Sequence, residues 1–145
     1  MYTIQPVAEP AKTFATDDYN STPAGSPVTG SVVANDGNTA GETLTATIVS
    51  GVSAAEGTLV FKADGTYTFT PLANYNGTVP AISYLVSDSA GATAAGQLSI
   101  TVTAVNDVPV AVNDQATTPE DTPLSGNVKN NDSDVDGNTL TLTQF

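Results

Sequence analysis

Residues 58–71, TLVFKADGTYTFTP, read as a β-hairpin. Leu59 and Phe61 alternate with Val60 and Lys62, and Tyr67 and Phe69 alternate with threonines. One face of the pair is therefore apolar and the other polar, the period-2 signature of a half-buried strand. Between the arms, Ala63-Asp64-Gly65 supplies turn chemistry of the kind that closes antiparallel pairs. Outward from the hairpin, residues 28–34 and 43–50 are rich in β-branched side chains and bounded by Asn, Asp and Gly. AISYLVS (81–87) and QLSITVTAV (97–105) follow, and an edge strand is expected before Pro23. No helical period competes with this pattern.

About seven short strands spaced by turns predict an all-β fold, most naturally a β-sandwich of immunoglobulin-like type. Within it Tyr67, Phe69 and Tyr84 fall at alternating positions that the core needs. Tyr75 in NYNG is less clearly placed, and Tyr19 belongs to the edge strand.

The chain also repeats itself. PVTGSVVANDGNTAGETLTAT, starting at Pro27, aligns without a gap on PLSGNVKNNDSDVDGNTLTLT, starting at Pro123, 96 positions later. Identical pairs include Gly30/Gly126, Val32/Val128, Asn35/Asn131, Asp36/Asp132, Gly41/Gly137 and Leu44/Leu140. The same offset matches Thr22/Thr118, Pro23/Pro119 and Asp18/Asp114. TIQPVAEP, starting at Thr3, faintly echoes TVTAVNDVP, starting at Thr101. Three stretches are therefore expected in a tandem array. Residues 1–11 form the tail of a preceding repeat and a linker, 12–105 one complete repeat, and 106–145 a linker and the first strands of the next. The last stretch would leave an apolar face around Leu140, Leu142 and Phe145 unpaired, open to strand exchange with another copy of the chain.

Composition narrows the chemistry. The 145 residues hold no Cys, no His and no Trp, so thiol chemistry, disulfides and imidazole-ligated metals are excluded. Fifteen acidic residues against 3 Lys+Arg give a net charge of −12, which repels nucleic-acid phosphates and disfavours anionic membrane surfaces. No apolar run approaches the roughly 20 residues of a membrane span. MYTIQPVAEP lacks the basic region and apolar core of a secretory signal. Without His or Cys no nucleophile–base set is available, and the acids lie in turn-like loops rather than across a cleft, so no enzyme activity is expected.

The acids are concentrated. Seven of them, Asp107, Asp114, Glu120, Asp121, Asp132, Asp134 and Asp136, lie between positions 107 and 136. Asp132, Asp134 and Asp136, closed by Gly137, reproduce the opening D-x-D-x-D-G of a calcium loop. Thr143 stands where a helical calcium hand would put its Glu, so any further oxygen ligands must come from elsewhere in space. In the first unit Asn38 and Ala40 replace Asp134 and Asp136, and Ala24 and Gly25 replace Glu120 and Asp121, so its own loop is expected to bind weakly or not at all.

Taken together, VNDVPVAVND, TTPEDTPLSGNV, NNDSDVDGNTLT and ADGTYTFTP…NYNGTVPAISYLVSD resemble the bacterial cadherin-like or immunoglobulin-like tandem repeats of giant RTX adhesins over essentially the whole chain from Thr3. The resemblance implies a secreted or cell-surface fibre exported by type I secretion. Its neighbouring repeats bind Ca²⁺ at their junctions, stiffen, and serve adhesion and biofilm formation. It further implies Asn106 and Asp107 as linker ligands, with Asp88, Asp114, Glu120 and Asp121 as further candidates. A second reading is a ligand-binding module of the same adhesin, for glycan or protein.

Overall fold

The structure, a computed structural model, describes residues 2–5, 7 and 9–143. Of the expected N-terminal tail and apolar C-terminal face, Met1, Pro6, Ala8 and Phe145 lie outside the described residues. The chain forms two compact units, Met1–Ala104 and Val105–Phe145.

The first unit is all-β among the described residues. Its strands are β1 (Thr13–Phe14), β2 (Asp18–Pro23), β3 (Val28–Ser31), β4 (Gly37–Asn38), β5 (Thr45–Ser50), β6 (Gly57–Phe61), β7 (Thr66–Pro71), β8 (Gly77–Thr78), β9 (Ile82–Ser87) and β10 (Thr93–Thr103). One sheet runs β2-β10-β9-β5, with β8 also on β10, and a second runs β3-β7-β6. A short β1-β4 pair accompanies them. All pairings are antiparallel except β2 with β10, which run parallel from Leu98↔Asp18 to Thr103↔Pro23.

Alternation builds the core. Ile82, Tyr84 and Val86 of β9, Leu98, Ile100 and Val102 of β10, and Tyr67 and Phe69 of β7 point inward and are buried with Val32, Leu44, Ala46 and Val79. Leu59 and Phe61 pack half-buried on the same side, while Val60 between them is 60% exposed. The β6–β7 turn is held by Asp64, whose Oδ1 accepts from Thr66 N (2.9 Å) and Thr66 Oγ1 (2.6 Å). Gly65 takes φ +80° there, a left-handed conformation that a Cβ would strain.

The strand limits differ most from the sequence reading at two places. The expected strand 28–34 stops at Ser31 because the backbone then turns, with Val32 N bonded to Gly65 O and Asp36 N to Val33 O. The expected strand 97–105 begins earlier, at Thr93. Ala94, Ala95 and Gly96 read as loop by propensity, yet they continue the ladder against β9 after the Asp88–Gly91 turn.

Within the second unit the only pairing among the described residues is an antiparallel bridge, Val110↔Ser133, in place of the expected strands. Residues 106–145 match positions 10–49 of the first unit, where β3 is held by β7. What does recur is the loop framework. Phe14↔Gly37 reappears as Val110↔Ser133. Thr16 N–Asp36 Oδ1 (2.7 Å) reappears as Val112 N–Asp132 Oδ1 (2.9 Å), and Thr22 Oγ1–Ser26 O (2.7 Å) as Thr118 Oγ1–Thr122 O (2.8 Å). Glu42 N–Asn38 Oδ1 (2.9 Å) reappears as Asn138 N–Asp134 Oδ1 (3.2 Å). Even the left-handed positions match: Gly25 (φ +75°) with Asp121 (φ +59°), and Gly41 (φ +70°) with Gly137 (φ +74°).

Candidate metal centre

In the second unit the acidic loop is built by Asx turns. Asp134 Oδ1 accepts from the backbone N–H of Asp136 (2.9 Å) and Asn138 (3.2 Å), and Gly137 N donates to Asp134 O (3.1 Å). This loop holds the linker residues of the same unit. Asp107 N donates to Asp136 Oδ2 (2.6 Å), and Asn138 Nδ2 donates to Asn106 Oδ1 (2.9 Å). Asn106, Asp107, Asp134 and Asp136 thus come together from segments about thirty positions apart in sequence. Asp132 instead spends Oδ1 on Val112 N. Glu120 and Asp121 sit in another turn, with Thr122 N on Pro119 O, and Asp114 lies exposed.

The oxygens gathered here are carboxylate and side-chain amide, which suit a hard cation such as Ca²⁺ and no softer metal. One oxygen each of Asp134 and Asp136 fixes the loop, and the other, among the described residues, has no hydrogen-bond partner. No three carboxylates among the described residues already stand at ligand spacing. Ion binding here therefore requires the side chains to draw together.

Asp88 belongs to the first unit and has a structural job there. It is 7% exposed, its Oδ2 accepts from Thr13 Oγ1 (2.7 Å), and its Oδ1 accepts from Ala90 N and Ala92 N (2.9 Å each). The Thr13 hydroxyl, followed by those amides, holds its carboxyl below the usual aspartate range despite some desolvation. A depressed pKa contributes stability above the unfolded value that is lost as pH falls through the folded one.

A second acidic group went unread in the sequence. Tyr84 OH donates to Asp18 Oδ2 (2.8 Å) and lies 3.1 Å from Thr16 O and 3.5 Å from Val32 O. Asp36 accepts from Thr16 N through Oδ1 (2.7 Å), while its Oδ2 is buried without a partner. Burial pushes both carboxyls above the usual range, and neighbouring carboxylates add to it: Asp36 and Asp17 for Asp18, and Asp17 for Asp36. Burial and the bond to Asp18 push the Tyr84 phenol up as well. The signal was present, since Asp18/Asp114 and Asp36/Asp132 are both kept at the 96-residue offset.

Most of the aromatic residues singled out in the sequence lie in the core, while Phe14 and Tyr2 are exposed. Tyr67, Phe69 and Tyr84 are buried, Tyr75 is half-buried with its OH donating to Thr78 O (3.1 Å), and Tyr19 on β2 is 79% exposed.

Comparison with known proteins gives the following. A family model described as Bacterial Ig domain matches residues 5–101 and 106–145. No curated protein matches. Solved structures that match in part include a nucleoside hydrolase-related hypothetical protein from Saccharophagus degradans associated with carbohydrate metabolism (15% identity, 59% of this chain, 22% of that one, TM-score 0.45). Another is a SusE-like surface-located polysaccharide-binding protein from Bacteroides thetaiotaomicron (14% identity, 66% of this chain, 15% of that one, TM-score 0.45). An endo-fucoidan hydrolase of glycoside hydrolase family 107 is a third (20% identity, 63% of this chain, 12% of that one, TM-score 0.40). The chain thus spans less than a quarter of the length of each. With a β-sandwich in the first unit, its loop framework repeated in the second and the family match running through both, the chain belongs to the bacterial Ig domain family.

Proposed function

We propose that this chain is a non-catalytic extender segment of a secreted or cell-surface bacterial adhesin of the RTX type, stiffened by Ca²⁺ where one repeat passes into the next. The observation that carries the reading is the gathering of Asn106 and Asp107 onto the loop of Asp134 and Asp136. Those four residues would hold the ion, with Asp132 bracing the loop through Val112 and its second oxygen left for the ion. Asp114, Glu120 and Asp121 supply further negative charge to the same unit. The buried aromatics of the first unit weigh against a glycan platform there.

Bound Ca²⁺ supplies charge neutralisation. Without it the carboxylates repel one another, and ordering the linker costs about 1–2 kcal/mol of backbone entropy per residue. An ion that binds only the ordered form stabilises it by RT ln(1 + [L]/Kd). Such a segment stays loose where calcium is scarce and sets where it is abundant, which suits export in an unfolded state. Its partners in this reading are the neighbouring repeats, and residues 106–145 remain available for strand exchange with another copy.

Calcium titration by calorimetry, with melting followed in parallel, tests this. The native chain is expected to bind saturably, with a higher melting temperature for its second unit, and Asp134→Ala/Asp136→Ala to lose both. Calcium binding that survives the double substitution would place the ion elsewhere, and no binding by the native chain would reduce the loop to a solvated acidic turn.

A further inference from the structure

We infer that Asp36, Tyr84 and Asp18 form a buried proton-holding latch that tightens the first unit on mild acidification. The geometry leaves one proton for two carboxyls. Tyr84 OH has a single hydrogen, and at 2.8 Å it serves Asp18 Oδ2. Asp36 lies within reach of the same phenol, which favours its ionised form, yet its Oδ2 is buried without a hydrogen-bond partner of good geometry while Oδ1 takes Thr16 N. An ionised carboxylate has only acceptors, so an enclosed oxygen without a donor is destabilised. A proton on Oδ2 converts it into a donor, with the phenol oxygen as its acceptor. The phenol then relays its own hydrogen to Asp18, giving a chain carboxyl–phenol–carboxylate in which each hydrogen has a partner.

The latch joins separate segments. Asp18 is on β2, Tyr84 on β9, Asp36 in the β3–β4 turn, and Thr16 in the β1–β2 connection. The charged group that faces it, Asp17, works in the same direction as burial, while the hydrogen bonds of Tyr84 and Asn35 to Asp18, and of Thr16 N and Tyr84 to Asp36, oppose it without reversing it. From the β2 side comes Asp17, whose Oδ1 accepts from Gln97 N of β10 (3.0 Å), and from the β3–β4 turn comes the amide of Asn35. From β7 comes the phenol of Tyr67, whose oxygen accepts from Asn20 Nδ2 on β2 (2.8 Å) and which feels Asp18. The groups acting on the two carboxyls are carboxylates, a phenol and amides rather than a cation. Both carboxyls are accordingly raised, burial first. Raised folded values give stability that is present in full below the unfolded pKa and lost as pH rises through the folded ones. The latch is thus distinct from Asp88, which works in the opposite sense in the same unit.

Carboxyl ¹³C NMR titration of the full chain reads the site directly. Asp18 and Asp36 are expected to titrate above the ordinary aspartate value of about 4, and Asp36→Asn to lower the Asp18 midpoint. In parallel, the melting temperature of the first unit should rise as pH falls from neutral toward the ordinary aspartate value of about 4, and Asp36→Asn, which places a permanent donor at the orphan oxygen, should flatten that rise. Glu42→Gln, which removes one exposed acid, controls for general charge relief and should leave the slope as in the native chain. Should Asp36→Asn fail to fold, Tyr84→Phe withdraws the phenol while keeping the buried ring, and with its donor gone the Asp18 midpoint should move further up. Ordinary midpoints for both aspartates, or a native-like slope in Asp36→Asn, would overturn the proposal.

Discussion

A methyl group added at Gly96 would sit 2.5 Å from the Tyr84 ring and phenol oxygen, and one at Gly30 equally close to Tyr67 OH. In both cases the glycine is the register partner of the tyrosine on the neighbouring strand, so the ring lies across the bare backbone. Tyr84 cannot give way, since it is fully buried and its OH is bonded to Asp18. Gly96→Ala is therefore expected to cost about 1–3 kcal/mol by overpacking, read as a lower denaturant midpoint with unchanged slope. These pairings were not legible beforehand. Sequence alternation put Tyr67 and Tyr84 in the core, but which glycine lies under which ring depends on register, and register is a property of two strands. The same holds for Asp88, a candidate ligand through the resemblance, whose bond to Thr13 spans 75 positions.

Strands are where the sequence spoke most plainly. The β6–β7 hairpin, its polar and apolar faces and its Asp-Gly turn follow directly from alternation and turn chemistry in 58–71. Strand β10 was legible only in its second half, because Ala94 to Gly96 enter the sheet through pairing with β9 and not through their own propensity. That second half carries Leu98, Ile100 and Val102, all in the core. Ile100→Ala should destabilise the first unit by about 2–5 kcal/mol in urea unfolding, whereas Val60→Ala, on the outer face of β6, should stay within about 0.5 kcal/mol. Equal effects would contradict the inside-outside assignment of the two sheets. The acidic loop was legible as a D-x-D-x-D-G spacing, and its partners Asn106 and Asp107 through the resemblance. That one oxygen of Asp132 is taken by Val112 N was not, because that role follows from the bond its counterpart Asp36 makes in the complete unit.

At the scale of the molecule, the 96-residue offset is legible in the sequence alone, and the loop hydrogen bonds recur at that same offset. The first unit holds its own core, so a chain ending at Ala104 is expected to keep that unit's melting midpoint within about 2 °C in chelator, measured by circular dichroism or calorimetry. A drop of many degrees would mean that the core depends on residues beyond it. One further consequence lies in the sheet order of that unit. Its first long strand, β2, and its last, β10, lie side by side and parallel over six residue pairs. The polypeptide therefore arrives at one end of this pair and departs from the other. Tension along the chain pulls the two strands in opposite directions along their length, across the line of their hydrogen bonds. The load falls on the whole row at once instead of peeling it bond by bond, so under stretching the β2–β10 seam acts as the unit's mechanical clamp.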